Sequence, residues 1–105
     1  MQHDPAAYLF DMCESCARLR RFTQGKRFDD YIEDEMLQAA VERQFEILGE
    51  ALAQLYKISP ETAGRISDYR RVIDFRNLLI HGYATVSSTV VWGIVESHLE
   101  TLCTE

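Results

Sequence analysis

RNLLIHGY, residues 76–83, reads as the end of a helix, with Gly82 two residues past the last apolar position. Gly just past the final turn is the usual stop, because it enters the left-handed conformation without a Cβ clash. The same eight residues also carry Arg76, Asn77, His81 and Tyr83. Stepping about 100° per residue places Tyr69, Val72, Ile73, Leu79 and Ile80 within about 60° of Arg76. A guanidinium therefore sits in the middle of an apolar arc. That is costly unless it is paired or reaches an open cleft. Arg76 is expected either to pair with Glu46 or Glu50, to snorkel along its stem to solvent, or to face a cleft. Asp74, Asn77, Arg70 and His81 form a separate polar stripe. A histidine in a last turn also suits the helix dipole, and Tyr83 could be a core ring with a bonded hydroxyl.

Working outward, Pro and Gly punctuate the chain. Asp4-Pro5 is a cap followed by proline at the first helical position, predicting a first helix over 5–23 that stops near Gly25. Phe28-Asp29 opens a second, with Asp29 as cap, running over about 30–57. Ile32, Met36, Ala39, Ala40, Ile47, Leu48, Ala51, Leu52 and Leu55 make its apolar stripe. Gly49 lies inside that helix at a cost of about 1 kcal/mol relative to Ala, which a close helix crossing would explain. Ser59-Pro60-Glu61 starts a short helix to about Ile66. Asp68 caps a fourth, from 69 to 80 or 81. ATVSS is a loop, and Ser87 or Ser88 caps a last helix to about Leu102, with Val90, Val91, Ile94, Val95, Leu99 and Leu102 facing the core. No window alternates as a strand does. The expectation is an all-α bundle of four main helices plus one short helix, in a single domain over residues 1–105.

The 105 residues are 47% hydrophobic and 27% charged, as in an ordinary globular protein. No apolar run approaches a membrane span, and MQHDPAAYLF has no basic, then apolar, leader pattern, so a cytoplasmic location is expected. The net charge of −6 argues against general coating of nucleic acid. Nine of the eleven basic residues nevertheless fall in two windows, Arg18 to Arg27 and Arg65 to Arg76. They can form a local basic surface, or solvated faces with i,i+4 pairs. Cys13 and Cys16 form C-x-x-C. A zinc site would need His98 or Cys103 as well, and the alternative is two small half-buried residues one turn apart. No metal or cofactor is expected.

A histidine that exchanges a proton near neutral pH and an arginine that grips phosphate suffice for metal-free RNA cleavage, in which a ribose 2′-OH attacks the neighbouring phosphate. Arg76, four residues, His81, one residue, Tyr83 spells R-x4-H-x-Y. This resembles the signature of the HEPN superfamily and, within it, the HepT-like toxins. AVERQFEILGEAL (40–52) resembles the family's long helix, and Ser59-Pro60-Glu61 followed by RNLLIHGYATVSSTVVWGIVESHLETL keeps the family's order of elements. The resemblance implies a homodimeric HEPN bundle whose R-x4-H helices face each other across an RNA-binding cleft, so that part of the Arg76 arc is interface. It implies a metal-independent endoribonuclease, the toxin of a toxin–antitoxin pair, with Arg76 and His81 catalytic and Asn77 a polar helper. It implies a minimal nucleotidyltransferase antitoxin of the MntA type that transfers AMP from ATP to Tyr83, placing an anion where RNA phosphates must enter. RNA would be held by a patch including Arg70 and Arg71. The other reading is a non-catalytic helical subunit that regulates a nucleotidyltransferase or binds nucleotide.

Overall fold

Asp4 decides where the chain first becomes helical. Its Oδ1 accepts from the Ala7 amide at 2.9 Å, and Pro5 follows in the first helical position. A computed structural model describes residues 4–81, 87–97 and 99, and in them six helices: α1 (Pro5–Thr23), α2 (Phe28–Glu33), α3 (Glu35–Ile58), α4 (Pro60–Gly64), α5 (Tyr69–His81) and α6 (Ser88–Ser97). The described residues contain no strand, and the fold class is the all-α bundle expected. Helix α1 ends as predicted, with Gly25 at φ +71° in the turn.

The long second helix departs from expectation. It breaks at Asp34, which leaves helical geometry (φ −115°, ψ 96°) and accepts the Leu37 amide at 3.0 Å. Residues 28–33 become a separate short helix, and the carboxylate that bonds at its start is Asp30, not Asp29: Asp30 Oδ2 accepts from the Arg27 amide, just before the helix, at 2.8 Å. Gln38 Nε2 then donates to the Tyr31 and Ile32 carbonyls at the break. The break also shifts the phase of the apolar stripe. Ile32 and Met36 were expected inside, yet both are exposed, Met36 at 85%. Tyr31, Leu37, Val41 and Phe45 are buried instead, while Leu48, Ala51, Leu52 and Leu55 of the expected stripe are buried as predicted.

Helix α3 is the axis of the bundle, with α1, α2, α4 and α5 packed on it and α6 packed on α2. Tyr8 and Asp11 share a groove with Glu46, Glu50 and Gln54, so α1 runs antiparallel to α3. Ring contacts of Phe45 with Phe75 (5.3 Å) and Tyr56 with Tyr69 (5.5 Å) show that α5 is antiparallel to it as well. Asp68 turns the chain into α5 with φ +57°, a conformation Asp tolerates better than most residues. Ser87 caps α6, its Oγ accepting the Val90 amide. Trp92 of α6 lies on Tyr31 with centroids 5.1 Å apart. Val91 and Leu99 are buried as expected, whereas Val90 is exposed. Gly82, Tyr83 and the residues to Val86, where a loop is expected, together with His98 and Leu102, lie outside the described residues. Among those described, no helix is long and apolar enough to cross a membrane.

Candidate active site

The crossing of α3 and α5 is built around a missing side chain. A Cβ on Gly49 would overlap Arg76 Cβ, would lie 2.8 Å from Arg76 Cγ and would lie 3.3 Å from the Val72 carbonyl oxygen. Only glycine lets the two helices meet here, and the aliphatic stem of Arg76 lies in the space it leaves. The expectation of a close crossing at Gly49 is met, and the partner at the crossing is Arg76 itself.

From that stem the guanidinium extends to the edge of the bundle. Its Nη2 is bonded to Glu50 Oε2, and its Nη1 donates to Asn77 Oδ1 at 2.5 Å. Glu50 Oε1 accepts from Gln54 Nε2 at 3.0 Å, so the carboxylate is held from two sides. Of the pairings open from the sequence, Glu50 is the one formed; Glu46 instead meets Arg43 at 3.2 Å. The Arg76 side chain is 22% exposed and that of Glu50 45%. Arg76 Nε is buried and has no hydrogen-bond partner among the described residues. This is a half-buried pair at a groove mouth. An ion pair open to water is worth little, so a phosphate with several acceptor oxygens can compete for the guanidinium.

The groove holds about 520 Å³ and is lined by Asp11, Arg43, Glu46, Glu50, Arg76 and Ile80 among others. Burial pushes the Glu42 carboxyl above its ordinary value, and the neighbouring Glu46 adds to the shift. In the apolar arc around Arg76, Ile80 is 41% exposed, whereas Leu79 is the buried residue of α5. The apolar arc around Arg76 is thus covered on one side only.

His81 is the last residue of α5 and is exposed. It stands five positions after Arg76, about 7.5 Å along the axis and about 140° around it. The fold brings Arg76 and Asn77 together and sets His81 on another side of the same helix. Arg70 and Arg71 are exposed at the opposite end of α5. Arg70 Nε donates to the Tyr69 hydroxyl at 3.1 Å, and its guanidinium carbon lies 5.7 Å from the Tyr69 ring centre. The two basic windows do not adjoin. Arg20 and Arg21 lie beside Val95 and Leu99 of the last helical segment. The antiparallel register puts them near the start of α3, whereas Arg70 and Arg71 lie by its end. Tyr83 falls outside the described residues. Cys13 is exposed and Cys16 buried, and no cluster among the described residues could hold a metal ion. Sequence reasoning did not find Gln54, Asp11 or the Tyr56–Tyr69 stack, because each depends on which turn of one helix meets which turn of another.

Comparison with known proteins bears on this arrangement. Residues 12–104 match the family described as Ribonuclease HepT-like. The chain is 30% identical over 95 residues to "Putative RNase MJ1380" of Methanocaldococcus jannaschii, covering 90% of this chain and 86% of that protein. It is 33% identical over 97 residues to "Putative RNase MJ0127" of the same organism, covering 88% and 75%. It is 30% identical over 106 residues to "Probable ribonuclease HepT" of Thermococcus cleftensis, covering 97% and 92%. No solved structure gives a significant match.

Proposed function

From the premise that the chain belongs to the ribonuclease HepT-like family, we propose that it is a metal-independent endoribonuclease formed by one HEPN domain over residues 1–105. The observation that carries this reading is the setting of Arg76. Its stem is locked against Gly49, its head opens on a groove, and an exposed histidine follows five residues later. In the reaction, a base takes the proton of a ribose 2′-OH and the 2′ oxygen attacks the adjacent phosphorus. The bond from phosphorus to the 5′ oxygen breaks, and that oxygen takes up a proton. The products are a 2′,3′-cyclic phosphate and a free 5′-OH, with no water consumed. His81 is the proton-transfer group. Arg76 holds the phosphate and its developing charge, released from Glu50 as the phosphate arrives, and Asn77 orients the guanidinium.

One protomer points Arg76 and His81 in different directions, and Ile80, beside Arg76 on α5, is apolar and open to water. Both features support a homodimer in which α5 of each copy faces the other and the cleft between them takes RNA. In the toxin–antitoxin reading, a minimal nucleotidyltransferase is the partner. The Tyr83 hydroxyl attacks the α-phosphorus of ATP, the bond to the β-phosphate oxygen breaks, pyrophosphate leaves, and the phenol proton passes to a base. The added phosphodiester puts a negative charge two residues from His81.

Replacing His81 with Ala tests the nuclease. His81 is exposed, so the variant is expected to fold as wild type and to lose RNA cleavage by at least a hundredfold. Cleavage at the wild-type rate sinks the assignment. Intact mass after incubation with ATP, Mg²⁺ and a candidate nucleotidyltransferase tests the partner, beside a Tyr83→Phe control that should gain no AMP. A second reading, a non-catalytic subunit that regulates a nucleotidyltransferase or binds nucleotide, is favoured by the Arg76–Glu50 pair. It requires that the wild-type protein cleave no RNA.

A further inference from the structure

Two tyrosines are stacked at the surface where α3 ends and α5 begins. Tyr56 and Tyr69 have ring centroids 5.5 Å apart and planes 22° from parallel. Tyr69 is half-buried and rests on the core, while Tyr56 is 38% exposed. Tyr56 is therefore packed on its partner and still partly open to water. Arg70 completes the group, its Nε donating to the Tyr69 hydroxyl and its guanidinium beside the Tyr69 ring. A lock between two helices needs no outward-facing phenol; Leu or Ile would serve and would hide more surface.

Charge separates this end of the molecule from the rest. Residues 56–71 contain four basic side chains (Lys57, Arg65, Arg70, Arg71) and two acidic ones (Glu61, Asp68), a net of +2. With −6 for the whole chain, the other residues carry −8. Polyanions are repelled by most of this protein and admitted here. Tyr69 and Arg76 are seven residues apart, so they share one face of α5 about 10.5 Å apart along its axis. That face packs on α3 at Gly49 and Tyr56, so a strand with a phosphate on Arg76 reaches the tyrosines along the edge of the α3–α5 seam.

We infer that Tyr56, stacked on Tyr69 and flanked by Arg70, is a stacking platform for an unpaired base of single-stranded RNA, a subsite that holds the strand beside the Arg76 groove. Aromatic faces accept any base, and a guanidinium next to them takes a backbone phosphate, which is the general pattern of sequence-tolerant single-strand binding. The inference rests on the ribonuclease reading above, and the test separates the two.

The probe is a fluorescein-labelled 2′-O-methyl oligouridylate, which the nuclease reaction cannot cleave, titrated with the full chain at fixed salt. Tyr56→Ala is expected to weaken binding about tenfold. Tyr56→Phe, which keeps the ring, should bind within twofold of wild type. Arg70→Gln should reduce the salt dependence of binding by about one phosphate contact. Melting temperatures read alongside distinguish loss of the platform from loss of fold. If Tyr56→Ala does not fold, photocrosslinking of wild type to a 4-thiouridine-containing RNA decides: label on the peptides bearing Tyr56 or Tyr69 supports the platform, and label confined elsewhere overturns it. A wild-type protein that binds the probe and cleaves RNA, with Tyr56→Ala equal to it, overturns the platform and leaves the nuclease standing. A wild-type protein that neither binds nor cleaves RNA overturns both.

Discussion

Replacing Gly49 with Ala sets two opposing effects against each other at one atom. In a helix interior, Ala is better than Gly by about 1 kcal/mol, because glycine loses more backbone entropy on folding. At Gly49 the new methyl would overlap Arg76 Cβ and crowd Arg76 Cγ and the Val72 carbonyl. Two of these atoms lie at or next to the α5 backbone, so a rotamer change cannot clear them and the helix must move. Overpacking of this kind costs typically 1–3 kcal/mol, and the depth of the overlap points to the upper end. The net is a destabilisation of about 2 kcal/mol, which for a domain of this size lowers the melting temperature by roughly 10 °C. Gly93 is the control. It lies in α6, exposed, with nothing within 4 Å of the Cβ it would gain. There only the propensity effect acts, and Gly93→Ala should raise the melting temperature by roughly 5 °C. Thermal unfolding followed by circular dichroism reads both signs in one experiment. RNA cleavage by Gly49→Ala at a temperature where it remains folded should fall as well, since Arg76 is displaced with α5. A Gly49→Ala protein that melts at or above wild type and cleaves RNA at the wild-type rate would refute the close crossing as the seat of Arg76.

Tyr31 is fully buried against Trp92, and its hydroxyl has no hydrogen-bond partner among the described residues. Burial, with Glu42 nearby, holds the phenol well above its ordinary pKa. Tyr31→Phe should therefore raise unfolding stability by about 1 kcal/mol, measured by urea denaturation at neutral pH; a loss of that size would mean the hydroxyl is paired after all. Glu42 is held above the ordinary carboxylate pKa in the fold, so the folded state binds its proton more tightly than the unfolded state does. Its contribution to stability is then fully present below the unfolded value near 4.5 and is lost as pH rises through the folded value. Glu42→Gln should stabilise the protein at pH 7, with the difference from wild type shrinking as pH falls below that window; a gap that grows toward acid pH would reverse the assignment.

The helical ends were legible because they are decided within a few residues. Asp4 with Pro5, Ser59 with Pro60 and Ser87 each commit the chain to a helix through a local hydrogen bond or a fixed φ. Observed helices begin where those signals stand. The break at Asp34 was missed because the apolar spacing from Ile32 to Ala40 reads equally well as one helix. Asp34 can cap a helix or sit within one, and burial of Tyr31 favours the cap. Once the helix broke there, the face carrying Met36 turned outward.

For the site, the anomaly of Arg76 could be seen from periodicity alone, as could the spacing to His81, since both lie on one helix. The sequence also contained Gly49, Glu50, Tyr56 and Tyr69, but as members of separate segments. Their meeting depends on the antiparallel register of α3 and α5, in which residue 49 opposes 76 and residue 56 opposes 69. That register comes from packing side chains across two helices, a contact between segments some twenty residues apart that no local signal encodes. What the sequence alone determined was the set of helices and the chemistry strung along one of them. The tertiary structure decided that the arginine is seated on a glycine, held by Glu50 at the mouth of a groove and placed on one helix face with a pair of stacked tyrosines.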